Sequence, residues 1–136
     1  MNISELLIAL YLNALHPLKL VAKKHKLSIQ QLLCVYAVPV NGITQTNLAD
    51  SLSVDISTLS RNLHKLENQN IIIKKLVKDD NRFVKIFLTD YGTSLLTNTL
   101  SDLTNYTNHL DIESSDIQSI IDGLLKLNWS ILKNRT

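Results

Sequence analysis

Between Asp55 and Gln69, Ile56, Leu59, Leu63 and Leu66 recur three or four positions apart, the spacing of one buried helix face. With those positions turned inward, the opposite side presents Ser57, Thr58, Arg61, Asn62 and Lys65. These are side chains suited to nucleic acid. Ser and Thr bond phosphates or base edges, Asn suits adenine, and Arg suits guanine or phosphate. Asp55, at the cap position, is the only acid near the start of this helix, and His64 reads as a packed or solvated histidine. Downstream, Lys74, Lys75, Lys78, Arg82 and Lys85 spread five cations over two short apolar segments and the turn between them. Arg82 falls at the tip of a narrow two-stranded ribbon, which can reach a minor groove where negative potential favours Arg. Lys75 and Lys78 are placed to neutralise phosphates. An Arg82 anchored by Asp80 would also close the hairpin, and both roles are compatible.

The elements that must hold these residues follow from local pattern. Apolar residues from Ile3 to about Lys26 recur at helical spacing, with Pro17 expected to kink or split the helix. Ser28 and Gln31 have the form of a capping box, starting a second helix that ends near Val38, before Pro39 and the Asn41-Gly42 turn. Thr44 caps a short helix through Leu52, with Leu48, Ala49 and Leu52 inward; Ser53-Val54 makes a tight turn; Asp55 caps the next helix to about Gln69. Asn70 takes a place where helices end in a left-handed residue. Ile71–Val77 and Phe83–Leu88 then change to β-branched and apolar composition around the polar turn from Lys78 to Arg82, a β-hairpin. Thr89 caps a fifth helix to about Leu110, and a sixth runs from Glu113 to Lys133. Two helices joined by a short turn, with a hairpin after the second, make a winged helix-turn-helix.

Leu48-Ala49-Asp50, Ser57-Thr58-Leu59-Ser60-Arg61 and Leu66-Glu67, then Asp80-Asn81-Arg82 and Leu88-Thr89-Asp90-Tyr91-Gly92, resemble in order and spacing the DNA-reading region of the MarR family of bacterial winged-helix regulators. The resemblance spans residues 44–92; elsewhere only the helix layout agrees. It departs at Ser53 and Asn70, where Gly is common, and both replacements are small and polar. It implies a homodimer on a pseudo-palindromic operator in double-stranded DNA, a repressor in the first instance, often released by a small-molecule effector or an oxidant.

Composition sets the frame. The chain has 136 residues, 45% hydrophobic and 19% charged, with three Gly and two Pro, which excludes disorder and favours helices. The fold class expected is mainly α with a small β-hairpin wing. One domain covers 1–136, with 28–89 as the DNA-binding lobe and 1–26 and 90–136 as dimerisation helices. The net charge of +2 divides unevenly: residues 1–86 carry eleven Lys/Arg against six Asp/Glu, residues 87–136 three against six. An anionic partner for the first part follows from that split. Winged helices also serve as protein-interaction modules, and the distribution of cations separates the readings. Seven of the fourteen Lys/Arg lie between Arg61 and Lys85, which favours DNA.

In the last helix Ile117, Ile120, Ile121, Leu124, Leu125, Leu127, Trp129, Ile131 and Leu132 exceed the single stripe a small monomer buries, so a symmetric partner is expected. The longest apolar run, Leu6 to Leu15, is cut by Asn13 and is too short to span a bilayer, so a soluble cytoplasmic protein is expected. No phosphate loop, nucleophile elbow or metal-ligand spacing occurs, so no catalysis, metal or cofactor is expected. Lone Cys34 lacks a nearby cation and reads as inert. An effector cavity would draw on Tyr11, Tyr36 and His16.

Overall fold

The computed structural model describes residues 1–78 and 82–135. Its elements are α1 (Ile3–Lys24), α2 (Ile29–Ala37), α3 (Gln45–Leu52), α4 (Ile56–Asn68), β1 (Ile72–Lys78), β2 (Arg82–Leu88), α5 (Asp90–Asn108) and α6 (Ser114–Lys133). They divide into two compact units, Met1–Tyr106 and Thr107–Thr136.

Within the first unit the caps explain the boundaries. Ser28 accepts from the Gln31 amide while the Gln31 side chain accepts from the Ser28 amide, a reciprocal box that starts α2. Thr44 caps α3 through the Asn47 amide, and Asp55 caps α4 through the Thr58 amide. Ser53 and Asn70 end α3 and α4 in left-handed conformation, with φ of 55° and 59°. Lys26, just past α1, does the same at 60°, which no sequence signal marked.

The core is built where α2, α3 and α4 pack together and α4 meets β1. Val35, Leu48, Leu59, Leu63 and Leu66 are fully buried there, with Ile72 and Ile86 from the hairpin beside them. Each such side chain contributes about 1.5–3 kcal/mol relative to exposure. β1 and β2 pair antiparallel from Ile72↔Leu88 to Lys78↔Arg82. The strands therefore include Lys78 and Arg82, which sequence reasoning put in the turn. A single-residue bridge joins Ile43 to Ile86, so the α2–α3 loop is tied to the wing.

Two glycines are required by close approach. A Cβ on Gly92 would lie 2.1 Å from the Ile71 carbonyl oxygen, so only Gly lets the first turn of α5 sit against the base of β1. The Thr89 hydroxyl completes that corner, donating to the Asn70 carbonyl at 2.6 Å and accepting from the Gly92 amide at 2.9 Å. Gly42 has φ of 78° and lies under the Phe87 ring, where a Cβ would come within 2.6 Å.

Two expectations need correction. Pro17 does not split α1, which runs unbroken through it; the ring is buried, and packing offsets the missing donor. Ile56 is 48% exposed rather than buried, because only Leu59, Leu63 and Leu66 of that series face the core. By length and composition α1 is long and apolar enough to cross a membrane, although the run Leu6–Leu15 alone is not. Its Pro17, Val21 and Ala22 are buried in the first unit.

The second unit has a different character. All of α6 lacks a buried residue, and Ile117, Ile120, Ile121, Leu124, Leu125, Trp129, Ile131 and Leu132 are each 42% to 59% exposed.

Candidate nucleic-acid interface

The outer face of α4 lies opposite Leu59, Leu63 and Leu66. Ser57, Arg61 and Lys65 are exposed on it, and Thr58 is half-buried. Asn62 sits on the flank instead, lining a small cavity with Gln30, Leu33, Cys34, Leu52 and Val54. Counting seven and eleven positions on from Ser57 reaches His64 and Asn68, both exposed and paired through Asn68 Nδ2 and His64 Nε2 at 3.3 Å. The stripe 57, 61, 64, 68 follows helical spacing, a signal that adds His64 and Asn68 to the outer face.

Asp55 sets the electrostatics at the start of this face. Its Oδ1 accepts from the Thr58 amide at 2.7 Å and from the Ser57 hydroxyl at 2.8 Å. Those bonds, the backbone one foremost, hold its carboxyl below the ordinary carboxylate range, with Arg61 adding attraction. The Thr58 amide is thus already paired, although helix N-termini commonly offer such groups to phosphate. The Ser57 hydroxyl, donating to Asp55, keeps its lone pairs free to accept. In this arrangement it can accept a hydrogen bond from a donor group, while its own proton is already given to Asp55. Arg61 Nη2 reaches Thr58 Oγ1 at 3.5 Å, the outer limit of a hydrogen bond.

The wing is cationic by construction. β1 carries Lys74, Lys75 and Lys78, β2 carries Arg82 and Lys85, and neither strand has an acid. The register sets Lys75 directly against Lys85, and Lys78 against Arg82. Like charges directly opposed destabilise a ribbon, and an anionic partner relieves them. Lys75 Nζ also lies 5.6 Å from the centroid of the Phe87 ring, a cation–π contact. The sequence-based anchor for Arg82, Asp80, lies outside the described residues.

Away from this surface, Lys24 Nζ and His25 Nε2 meet Asp102 at 3.0 and 2.7 Å, tying the end of α1 to α5. The His25 hydrogen bond and then Lys24 hold the Asp102 carboxyl below its usual range. A cavity of about 180 Å³ opens among Leu18, Leu32, Tyr36, Leu96, Thr99 and Leu103. Tyr36 lines it as expected; Tyr11 and His16 do not. Cys34 is buried, and burial pushes its thiol up to about 11, so little reactive thiolate forms at neutral pH.

A family model described as transcriptional regulator SarA/Rot matches residues 17–99. No curated protein sequence matches. Among solved structures, wild-type MarR from E. coli superposes with a TM-score of 0.81 at 17% identity, covering 93% of this chain and 96% of that one. A MarR family transcriptional regulator from Listeria monocytogenes, complexed with 26mer DNA, gives 0.74 at 23% identity, covering 98% and 91%. A MarR of Staphylococcus aureus in complex with salicylate and kanamycin gives 0.74 at 18% identity, covering 94% and 89%. The fold is that of the MarR-type winged-helix regulators.

Proposed function

This chain belongs to the SarA/Rot family of transcriptional regulators, and we propose that it binds a pseudo-palindromic operator as a homodimer and represses transcription by occupying it. The observation that carries this reading is the pairing of a polar outer face on α4 with a wing whose strands hold five cations and no acid. α4 lies in the major groove, where Arg61 and Lys65 grip guanine or phosphate and Ser57 accepts from a base amino group. Thr58 and Asn62, at the edges of that face, contact the groove wall. Lys75 and Lys78 neutralise phosphates, and Arg82 enters the flanking minor groove. Residues 28–89 act as the DNA-binding lobe, while 1–26 and 90–136 supply the dimer helices. The exposed apolar surplus of α6 supports that division. Such a protein works in the cytoplasm, where its operator is.

The cavity beside Tyr36 supports release by an effector. A pocket of about 150 Å³ takes benzene, so about 180 Å³ suits one small ring. Of its two hydroxyl-bearing residues, Tyr36 and Thr99, Thr99 already donates to the Leu96 carbonyl, and the lining has no charged residue. A carboxylate would lose its hydration there with no cation to pair with, which favours a neutral effector.

Selection of binding sites from a random duplex library at two salt concentrations tests the reading. A pseudo-palindrome with half-sites about one helical turn apart is the expected product. No enrichment at low salt, where phosphate contacts are strongest, would overturn it in favour of a protein-binding winged helix.

A further inference from the structure

The wing carries apolar surface that the core does not use. On one face of the ribbon Ile72 and Ile86 are buried at the base. Further out on that face Leu76 and Val84, directly opposed in the register, are 53% and 55% exposed. Four residues of strand carry Leu76 about 13 Å beyond Ile72. A cross-strand pair stiffens a ribbon, but a polar β-branched pair would do so without holding two large apolar side chains in water.

The surroundings of this pair indicate what covers it. Lys74 and Lys78 stand on the same face, two positions either side of Leu76. Both are exposed. Lys78 faces Arg82 in the register, and Asp79 and Asp80 follow in the sequence outside the described residues. An apolar centre rimmed by cations matches a DNA minor groove, whose floor and deoxyribose walls are apolar and whose rims are phosphate. A protein surface would need acids around its own apolar patch to match.

Resting on the DNA-binding reading above, we infer that Leu76 and Val84 form an apolar wedge that enters the minor groove beside each half-site and bends the duplex. The minor groove is about 6 Å wide, too narrow for two opposed aliphatic side chains unless it opens. Apolar wedges that open it partly unstack a base step and bend the helix toward the major groove. Lys74 and Lys78 hold the phosphates on either side. Pyrimidine–purine steps open most easily, so the wedge selects them without any hydrogen bond to a base.

The test compares the wild-type chain, the double variant Leu76→Thr/Val84→Thr and the apolar double variant Leu76→Met/Val84→Ile. The operator from the selection experiment carries 2-aminopurine at the step flanking each half-site and dyes at its ends. The wild-type chain brightens 2-aminopurine and shortens the end-to-end distance. The Thr pair keeps β propensity, and amide protection of β1 and β2 reports that the wing is still formed. That variant binds the operator about tenfold more weakly, leaves 2-aminopurine dark and bends the duplex less. Its salt dependence keeps the wild-type slope, because no cation has been removed. The Met/Ile pair restores both optical signals. A Thr pair that binds and bends like wild type overturns the wedge alone. A Thr pair that alters sedimentation while leaving DNA binding intact also overturns it, and assigns the patch to a protein. Failure of the wild-type chain to bind any duplex overturns the wedge together with the function it rests on.

Discussion

α4 and α6 are both amphipathic helices, yet α4 is completed within its own unit and α6 is not. In α4 three leucines are fully buried and, Ile56 apart, the remaining surface is polar. In α6 eight large apolar residues are each about half exposed and none is buried. Burial of Leu59, Leu63 and Leu66 spends the apolar side of α4 on the fold and frees its other side for a ligand. The surplus on α6 has no such use within its unit, which is why it supports the proposed dimer.

The largest effects should fall on that contrast. Leu63→Ala, a truncation in a fully buried site, should lower stability by about 2–5 kcal/mol in denaturant unfolding. Leu124→Asp should leave the chain folded by circular dichroism but turn a dimer into a monomer in sedimentation equilibrium. Operator affinity then drops about 10²–10⁴-fold as one half-site is released. A Leu124→Asp chain that remains dimeric would remove the functional meaning of the difference between the helices.

Smaller effects sharpen the interface itself. Arg61→Ala should cost about 1–3 kcal/mol on the operator and less on random DNA. Equal losses on both would demote Arg61 to a backbone contact. Arg82→Ala should cost about 1–3 kcal/mol if it makes a specific groove contact, and unchanged binding would sink its proposed place in the minor groove. Lys78→Ala should weaken both DNAs alike and reduce the salt slope by about one.

The smallest effect concerns pH. The folded chain holds the carboxyls of Asp55 and Asp102 below their usual range. A lowered folded pKa contributes stability that is complete above the unfolded value and is lost as pH falls through the folded one. Asp102→Asn should therefore unfold more easily than the native chain at neutral pH, and the gap should close in acid. A gap that persists in acid would assign the effect to packing.

Local chemistry was legible in the sequence wherever a structure is decided within about four residues. The box at Ser28, the caps at Thr44 and Asp55, the left-handed Asn70 and the leucines of α4 all follow from near neighbours. Much of the winged-helix layout could be read from them. Where distant segments meet, the pattern was silent. Ile56 fits the apolar series yet stays exposed, and Asn62 fits the polar face yet is half-buried on its flank, because neighbouring elements decide which flank is covered. The opposition of Lys75 to Lys85, the bridge from Ile43 to Ile86 and the exposed pair Leu76–Val84 depend on strand register. Register is a property of two segments, so a one-residue slip would exchange every face of the wing. It is fixed only when the two strands meet in the folded chain.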